Sequence, residues 1–361
     1  MRRSFALLVS TIICIGLSGC GGQSNTSPTF HGAYLYVPDN TSNVAQFSIG
    51  SAGVLAPLYP SEIAAGSSPD AIAVTPDGNY AYVAAQTGVF QYNIGANGAL
   101  GPLYPASISS SIDGPVAIAV SPDGQFVYVA NQSGNTVAQY GIGSLGQLYP
   151  LSAPTIATDN QPSSLAIDPS SHWLYVSTYG GKTIDQYLIT GGLLSPLSPP
   201  SVGTPNKNTS VVVSPDGANV YATDDGNLVE EYNVGAGGTL SNHSPASVGA
   251  GNGPSGIVLS ADGAFAYVAN NAGGASGTVS QFNRSSGSLN SVIPTSVTAG
   301  TGPFSLILSP SGGALFVVNA SSDNVSQFAV ASNGLLSSLL PASISLPSGF
   351  TVSSRPAVAQ K

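Results

Sequence analysis

The chain has 361 residues, of which 16 are acidic and 7 are basic, giving a formal net charge of −9. Only 6% of the residues are charged, whereas 42% are hydrophobic. This composition excludes a nucleic-acid-binding surface, which needs a basic footprint, and an intrinsically disordered chain, which is poor in apolar residues. The 44 glycines and 27 prolines also disfavour a helical bundle. We therefore expect an all-β protein with many tight turns.

The N-terminal segment has the pattern of an export signal. Arg2 and Arg3 precede an apolar stretch over residues 5–17. This stretch is too short to cross a membrane as a helix, but it fits the apolar core of a secretory signal peptide. It ends in Leu-Ser-Gly-Cys at residues 17–20, which resembles the bacterial lipobox. The alternative is an ordinary signal peptide that happens to contain a cysteine.

A lipobox implies that Cys20 is lipidated and becomes the first residue of the mature protein. Residues 1–19 are then the signal peptide, and residues 20–29, which are rich in Gly and Ser, form a flexible tether. Two or more acyl chains give stable attachment to a bilayer. The sequence thus predicts an exported protein that is lipid-anchored to the bacterial cell envelope, on its periplasmic or surface face, with the membrane as its partner through Cys20.

Two sequence markers recur together along the rest of the chain. The first is an aromatic residue followed by a small apolar one, at Tyr36-Val37, Tyr82-Val83, Tyr128-Val129, Tyr175-Val176, Tyr221-Ala222, Tyr267-Val268 and Phe316-Val317. These pairs are spaced by 46, 46, 47, 46, 46 and 49 residues. The second is Gln or Glu followed by an aromatic residue, at Gln46-Phe47, Gln91-Tyr92, Gln139-Tyr140, Gln186-Tyr187, Glu231-Tyr232, Gln281-Phe282 and Gln327-Phe328. Two markers in step seven times indicate seven structural repeats.

Each repeat has the pattern of four short β-strands. In residues 115–142, an apolar run leads into the turn Ser-Pro-Asp-Gly at 121–124, where Pro presets φ, Asp caps the backbone and Gly accepts a positive φ. The segments 126–129 and 136–142 are rich in β-branched and aromatic residues, which favour strands. Four strands repeated at this spacing are typical of a β-propeller blade. We predict a seven-bladed β-propeller of four-stranded antiparallel blades over residues 30–361.

The two ends of the chain are expected to meet in one blade. The first repeat lacks an apolar strand before Tyr34, and the tail from Arg355 to Lys361 resembles the opening of a further repeat. Pro356 follows Pro303, which opens the last full repeat, by 53 residues. Because an open ring would leave unpaired strand edges, the sequence predicts that the C-terminal strand completes the first blade.

The propeller topology assigns the loops to two faces. Turns between the first and second strands lie on one face, the lower face, and their aspartates are interpreted as turn caps. Loops that precede the first strand, and loops that join the second and third strands, gather on the opposite, upper face, where binding residues are expected. The ionisable residues predicted on the upper face are Asp39, Asp70, Asp113, Asp159, Lys182, Lys207, Asp224, Asp225, Asp323 and Arg355. They are interpreted either as a site or as a solvated rim.

Six of these upper-face residues are candidates for catalysis. A general base could be one of the carboxylates Asp113, Asp159 and Asp224. An oxyanion could be stabilised by one of the cations Lys182, Lys207 and Arg355. No metal site, cofactor, Ser-His-Asp or Cys-His arrangement is predicted, because the three histidines fall outside the upper-face set.

Two further repeated residues are interpreted as structural. The Gln of the third strand is expected to satisfy backbone groups between neighbouring blades. Tyr59, Tyr104 and Tyr149, each in Leu-Tyr-Pro, are expected to pack in the outer strands at a repeated offset.

The repeat itself resembles a known family. Residues 114–140 and 253–282 carry most clearly the pattern Gly-Pro-x-x-Ile-Ala-Val-Ser-Pro-Asp-Gly-x-x-Val-Tyr-Val-Ala-Asn, followed by Thr-Val-x-Gln-Tyr. This pattern resembles the lactonase-type (6-phosphogluconolactonase-like) seven-bladed propellers and the related Tyr-Val-Thr-Asn (YVTN) repeat proteins. The resemblance implies a ring whose enzymatic members open a sugar lactone, or close a muconate one, with Arg, His and Glu in the upper cleft. The upper face of this chain offers Lys, Arg and Asp instead.

These features lead to three hypotheses for function. The first is a cell-envelope lipoprotein that acts as a binding or interaction module, with its upper face and central channel as the surface for an envelope ligand or protein. The alternative is a lactone hydrolase of the 6-phosphogluconolactonase-like type. The second alternative is a structural surface protein, which the low charge and abundant Ser, Gly and Asn would suit. Nucleic acid is not an expected partner.

Overall fold

The computed structural model describes residues 32–274, 276–350 and 354–361, and these form seven four-stranded antiparallel sheets. The innermost strands contact one another in a closed order around a central channel. The prediction of an all-β, seven-bladed propeller is therefore confirmed. The predicted signal peptide, the tether and Cys20 lie outside the described residues. Within the described part, no helix is long and apolar enough to cross a membrane.

The strands are numbered along the chain, and in each blade the strand nearest the channel is named first. Blade 1 consists of β28 (Ala357–Gln360), β1 (Ala33–Pro38), β2 (Asn43–Ile49) and β3 (Leu55–Ala64), and blade 2 of β4 (Pro69–Val74), β5 (Tyr80–Ala85), β6 (Gly88–Ile94) and β7 (Leu100–Ile108). Blade 3 consists of β8 (Pro115–Val120), β9 (Phe126–Asn131), β10 (Thr136–Ile142) and β11 (Leu148–Ala157). Blade 4 consists of β12 (Pro162–Ile167), β13 (Trp173–Thr178), β14 (Thr183–Thr190) and β15 (Leu193–Gly203).

The remaining three blades follow the same order. Blade 5 consists of β16 (Asn208–Val213), β17 (Asn219–Asp224), β18 (Leu228–Val234) and β19 (Leu240–Gly249). Blade 6 consists of β20 (Pro254–Leu259), β21 (Phe265–Asn270), β22 (Ser276–Ser285) and β23 (Ser288–Thr301). Blade 7 consists of β24 (Pro303–Leu308), β25 (Ala314–Asn319), β26 (Asn324–Val330) and β27 (Leu336–Ser345). A 3-10 turn (Ala272–Gly274) precedes β22.

The hydrophobic core lies between the blades rather than at the centre of the ring. The second strand of each blade is almost completely buried, and β17 and β25 are buried at every residue. One core cluster joins Tyr82 of blade 2 with Val127 and Val129 of blade 3, and the other clusters also combine neighbouring blades. Because both faces of each sheet are covered, the second strands are continuous apolar runs instead of alternating ones.

The tyrosine of the first sequence marker joins each of blades 1 to 6 to the next blade. Its hydroxyl donates to the carbonyl of a glycine in the turn between the third and fourth strands of the neighbouring blade. These bonds are Tyr36 to Gly98, Tyr82 to Gly146, Tyr128 to Gly192, Tyr175 to Gly238, Tyr221 to Gly287 and Tyr267 to Gly334, with oxygen–oxygen distances of 2.6 to 2.9 Å. Blade 7 has Phe316 at this position. The marker therefore repeats because it joins blades.

The glutamine of the second marker makes a second set of bonds between blades. Its Oε1 accepts the backbone N–H of a leucine in the first two residues of the outer strand of the next blade, as in the bond from Leu100 N–H to Gln46 at 2.7 Å. Its Nε2 donates to a carbonyl of its own outer strand, as from Gln46 to Pro60 at 3.1 Å. The same pattern holds for every glutamine of the set. The structural interpretation of these glutamines is confirmed.

The C-terminal strand completes blade 1, as predicted. β28 pairs antiparallel with β1, and Ala357 lies opposite Tyr36. The residue opposite the equivalent Phe316 is Ile307, which comes four residues after Pro303. The expected equivalence of Pro356 with Pro303 is therefore wrong by three residues. Ser354 instead occupies the second position of the inner strand, since its Oγ donates to the carbonyl of Pro38, as Ser163 Oγ does to the carbonyl of Ser177.

The expected packing of the Leu-Tyr-Pro tyrosines is wrong. Tyr59 is 94% exposed, Tyr104 is 92% exposed and Tyr149 is 51% exposed. The register between β2 and β3 shifts opposite Gln46, so that the segment containing Tyr59 bulges outwards while Leu58 packs against the core. Tyr149 follows the first leucine of its outer strand directly and so has a different offset.

Candidate binding site at the channel mouth

A cavity of about 320 Å³ lies at the end of the channel where the innermost strands begin. Most of its wall comes from the second residue of these strands in six successive blades. The lining residues of this kind are Asp70, Val116, Ser163, Thr209, Ser255 and Phe304. Gln132 and Tyr179, from loops between second and third strands, and Arg355 complete the wall. The predicted upper face therefore does open into the channel.

Arg355 provides the guanidinium group that lies in this cavity. Its backbone N–H donates to the carbonyl of Asp70 at 3.0 Å, and its carbonyl accepts from Ile72 at 3.2 Å. The guanidinium reaches across the channel, where Nη1 donates to the carbonyl of Val116 at 2.6 Å and Nη2 to that of Thr209 at 3.3 Å. Burial lowers the pKa of Arg355 to about 10, so the side chain is still charged at neutral pH.

Asp70 provides a carboxyl group in the wall of the same cavity. Burial raises the pKa of Asp70 to about 6, and the nearby charge of Arg355 opposes part of that rise. A carboxylate with this pKa can accept a proton near neutral pH, which suits a general base. The sequence placed Asp70 on the upper face but did not single it out, because residues 70 and 355 come together only through ring closure.

The hydroxyl groups around the cavity hold the blades together. Ser163 Oγ donates to the carbonyl of Asn208 at 2.9 Å, in the next blade. Thr209 Oγ1 and Ser255 Oγ make the equivalent bonds to the next blades at 2.9 and 2.8 Å. Each hydroxyl proton is used in this way, so the hydroxyl oxygens remain available only as acceptors. Apart from the arginine, the wall is therefore rich in acceptors.

The other five predicted candidates do not line this cavity. Asp113, Asp159 and Lys182 are exposed on loops, and the backbone N–H of Asp159 donates to Asp185 Oδ2 at 2.7 Å. Lys207 Nζ lies 4.7 Å from the centre of the Tyr179 ring, which lines the cavity. Of the candidates, Arg355 alone lines the cavity.

Asp224 has a structural role in blade 5. It is completely buried, and its Oδ1 accepts the backbone N–H groups of Gly226 at 2.9 Å and Leu228 at 3.0 Å, which caps the hairpin between β17 and β18. Burial and the charge of Asp224 raise the pKa of Glu230 to about 7. In blade 6 the equivalent residues are neutral, and Asn270 donates to Ser280 at 2.9 Å.

Among the described residues, no group of three or more His, Cys, Asp and Glu side chains is arranged to hold a metal ion. The cavity offers one guanidinium, one carboxyl of raised pKa, the amide of Gln132, the phenol of Tyr179, acceptor oxygens and the apolar surfaces of Val116 and Phe304. This set can bind a small ligand that combines hydroxyl groups with a carboxylate or a carbonyl.

Comparisons with known proteins agree with this architecture. The family model described as Lactonase, 7-bladed beta-propeller, matches residues 24–206 and 233–354. No curated protein matches the sequence. Similar solved structures include a candidate 6-phosphogluconolactonase of Bacteroides fragilis, with 19% identity and a TM-score of 0.77 over 93% of this chain and 100% of that one.

Two further solved structures have the same fold. The periplasmic gluconolactonase of Pseudomonas aeruginosa has 21% identity and a TM-score of 0.75, over 91% of this chain and 99% of that one. A protein of Lactobacillus plantarum has 19% identity and a TM-score of 0.73, over 92% of this chain and 99% of that one. At these identities the likeness shows the fold alone. With the family model matching most of its length, the chain belongs to the lactonase family of seven-bladed β-propellers.

Proposed function

We propose that this chain is an exported, lipid-anchored propeller of the cell envelope that binds a small hydroxylated carboxylate or lactone at the channel mouth. The observation that carries the proposal is the position of Arg355, the one cationic side chain among the described residues in the wall of a cavity that also contains a carboxyl group and hydroxyl oxygens that act as acceptors. A guanidinium has five N–H donors. Two of its nitrogens bond to Val116 and Thr209, which holds the group rigid and leaves donors for a ligand.

The wall chemistry supports this ligand class. A carboxylate or a lactone carbonyl would accept from Arg355, while ligand hydroxyl groups would donate to the oxygens of Ser163, Thr209 and Ser255. Val116 and Phe304 provide apolar contact for carbon atoms. A volume of about 320 Å³ lies at the small end of ligand cavities, which suits a single sugar acid better than a polymer.

Lactone hydrolysis at the same site is the second candidate, and the proximity of Asp70 to Arg355 favours it. Asp70 would take a proton from a water molecule as the water oxygen attacks the lactone carbonyl, and Arg355 would stabilise the oxyanion. The ester C–O bond of the ring then breaks, and the proton passes from Asp70 to the departing ring oxygen. The family and the fold neighbour named as a periplasmic gluconolactonase support this candidate.

Binding and hydrolysis are separated by two variants. Titration calorimetry with gluconate and a hydrolysis assay with glucono-δ-lactone should be run on the wild type, Arg355→Lys and Asp70→Asn, with Asp113→Asn as the matched exposed control. We expect Arg355→Lys to weaken gluconate binding at least tenfold, because a bidentate donor becomes a point charge. Asp70→Asn should keep binding and abolish hydrolysis if the protein is an enzyme.

Failure of both ligands to bind the folded wild type would contradict the proposal and favour the structural surface protein. The anchor is tested separately by labelling cells with a radioactive fatty acid. We expect label in the wild type and none in Cys20→Ser, and label in neither would leave an ordinary signal peptide as the interpretation.

A further inference from the structure

A second polar site lies on the outer edge of the propeller, between blades 5 and 6. His243, on the outermost strand β19, has its Nε2 2.9 Å from the Oγ of Ser288, which begins β23 of blade 6. Its Nδ1 lies 2.8 Å from Asn233 Oδ1, on β18. Both His243 and Ser288 are partly exposed. The line serine–histidine–amide has the order that activates a serine in hydrolases.

The direction of every hydrogen bond in this line follows from one arginine. Arg284 can only donate, and its Nη2 lies 2.7 Å from Asn219 Oδ1. This fixes the amide of Asn219, so its Nδ2 is the donor to Asn233 Oδ1 at 3.2 Å. The Asn233 oxygen facing the imidazole is therefore an acceptor.

The protonation of the imidazole follows in turn. Because Asn233 Oδ1 accepts, His243 Nδ1 carries the hydrogen and Nε2 presents a lone pair. Ser288 Oγ must then donate its hydrogen to Nε2. This is the tautomer in which a histidine acts as the general base for a serine, and Arg284, which is anchored by Asp216 at 2.7 Å, holds it in place.

Comparison among the blades shows that His243 and Asn219 depart from the scaffold. His243 stands three residues after the first buried leucine of its outer strand, and its equivalents in the other blades are apolar: Leu58, Leu103, Leu151, Leu197, Val292 and Leu339. The equivalents of Asn219 are Tyr34, Tyr80, Phe126, Trp173, Phe265 and Ala314. Blade packing therefore does not require the polar side chains, yet they occur together at one junction.

We propose that Ser288 is a nucleophile activated by His243 and that this site cleaves esters of small acyl groups. Ser288 Oγ attacks the ester carbonyl while its proton passes to His243 Nε2. The imidazolium then gives its proton to the leaving alkoxide oxygen as the ester C–O bond breaks, which releases the alcohol and leaves an acyl group on Ser288. Water, deprotonated by the same nitrogen, attacks the acyl carbonyl, and the serine regains its proton as the acid departs. Both side chains are partly exposed at the outer edge of the propeller, so a small ester can reach Ser288 Oγ from solvent.

A second serine–histidine contact in the chain provides a built-in control. His172 Nδ1 lies 2.7 Å from Ser170 Oγ. Ser170 Oγ also bonds to the carboxylate of Asp168, which can only accept when ionised. The hydroxyl hydrogen of Ser170 is thus committed to Asp168, and its histidine is not placed to act as a base.

The test is covalent labelling of the full mature protein with a fluorophosphonate, followed by peptide mass spectrometry. The serine oxygen displaces fluoride at phosphorus, so labelling reports nucleophilicity directly. We expect an adduct on Ser288 and none on Ser170. His243→Leu, which restores the residue of the other blades, should slow labelling at least about 100-fold without lowering the melting temperature. Asn233→Asp should speed labelling, because a carboxylate holds the imidazolium more strongly.

Hydrolysis of p-nitrophenyl acetate gives the second readout. We expect Ser288→Ala and His243→Leu to lose it and Ser170→Ala, the matched control, to retain it. Equal labelling of Ser288 and Ser170, an unchanged labelling rate in folded His243→Leu, or an unlabelled Ser288 would overturn the proposal.

Discussion

Glu231 in blade 5 accepts the backbone N–H of Leu289 in blade 6, with 3.0 Å between Oε1 and the nitrogen. In the six other blades a glutamine oxygen makes this bond. The glutamine nitrogen also donates to its own outer strand, whereas Glu231 Oε2 is buried without a hydrogen-bond partner among the described residues. Burial raises the pKa of Glu231 to about 7, so a protonated Glu231 can supply the missing donor.

We predict that Glu231→Gln stabilises the protein in a pH-dependent way. The pKa of Glu231 is about 7 in the folded protein and about 4.3 in an unfolded chain. The stability that the neutral acid provides is therefore complete below about pH 4 and is lost as the pH rises through 7. Calorimetry at pH 8 should show a melting temperature about 3 to 8 °C higher than that of the wild type.

The same experiment at pH 4 serves as the control, since the two proteins should then melt together. The reciprocal variant Gln186→Glu, in blade 4, should lose stability at pH 8 and little at pH 4. A stabilisation by Glu231→Gln of equal size at both pH values would contradict the explanation.

Removing the C-terminal strand should destabilise the whole ring. A chain that ends at residue 354 lacks β28, which exposes the edge of β1 and uncovers buried residues between blades 1, 2 and 7. We expect the melting temperature to fall by at least about 10 °C. A synthetic peptide of residues 354–361 should restore part of this loss by adding a strand to the open edge, and the scrambled peptide should not. A truncated chain that melts like the wild type would contradict closure by β28.

A tyrosine hydroxyl between blades should contribute measurable stability. Tyr128→Phe removes a buried bond of 2.9 Å to the carbonyl of Gly192 while keeping the ring of the side chain in place. We expect a loss of about 1 to 2 kcal/mol in urea unfolding, because the carbonyl is left without its partner. Tyr104→Phe, at a side chain that is 92% exposed, is the control and should change nothing. Equal effects of both substitutions would argue against the blade contact as the cause.

The pH profile of lactone hydrolysis, if the channel carries it, should report Asp70. Its pKa is about 6, so kcat/KM should rise with pH and reach a plateau above about 7 as the carboxyl loses its proton. Arg355→Met removes the charge that lowers the pKa of Asp70 and should move the midpoint to higher pH as well as reducing the plateau. A midpoint that stays fixed in Arg355→Met would show that another group is titrating.

The scaffold could be predicted from the sequence because its contacts repeat. Tyr128 and Gln139 each bond to the neighbouring blade, and every repeat needs the same bonds, so the same residues recur at a regular spacing. Ring closure was also predictable, because a missing first strand and an unused tail are both visible in the chain. The exact register was not, since Pro356 in the tail does not occupy the position that Pro303 occupies in its own blade.

The candidate sites were harder to predict because they occur only once. Asp70 and Arg355 meet only where the ring closes, and no local pattern marks that meeting. His243 and Ser288 are 45 residues apart and on different blades. A signal for this second pair was present, however, since a histidine stands where other repeats have leucine or valine. Departures from the repeat were thus more informative about chemistry than the repeat itself.

The position of β28 also has a consequence for biosynthesis. Blade 1 combines strands from the beginning of the propeller with a strand from residues 357–360. Until residues 357–360 have been made, β1 has no inner neighbour and its edge is free to pair with another chain. The ring can therefore close only after β28 has been made, and a chaperone that shields the edge of β1 before then would protect the protein during the interval when it is most prone to aggregate.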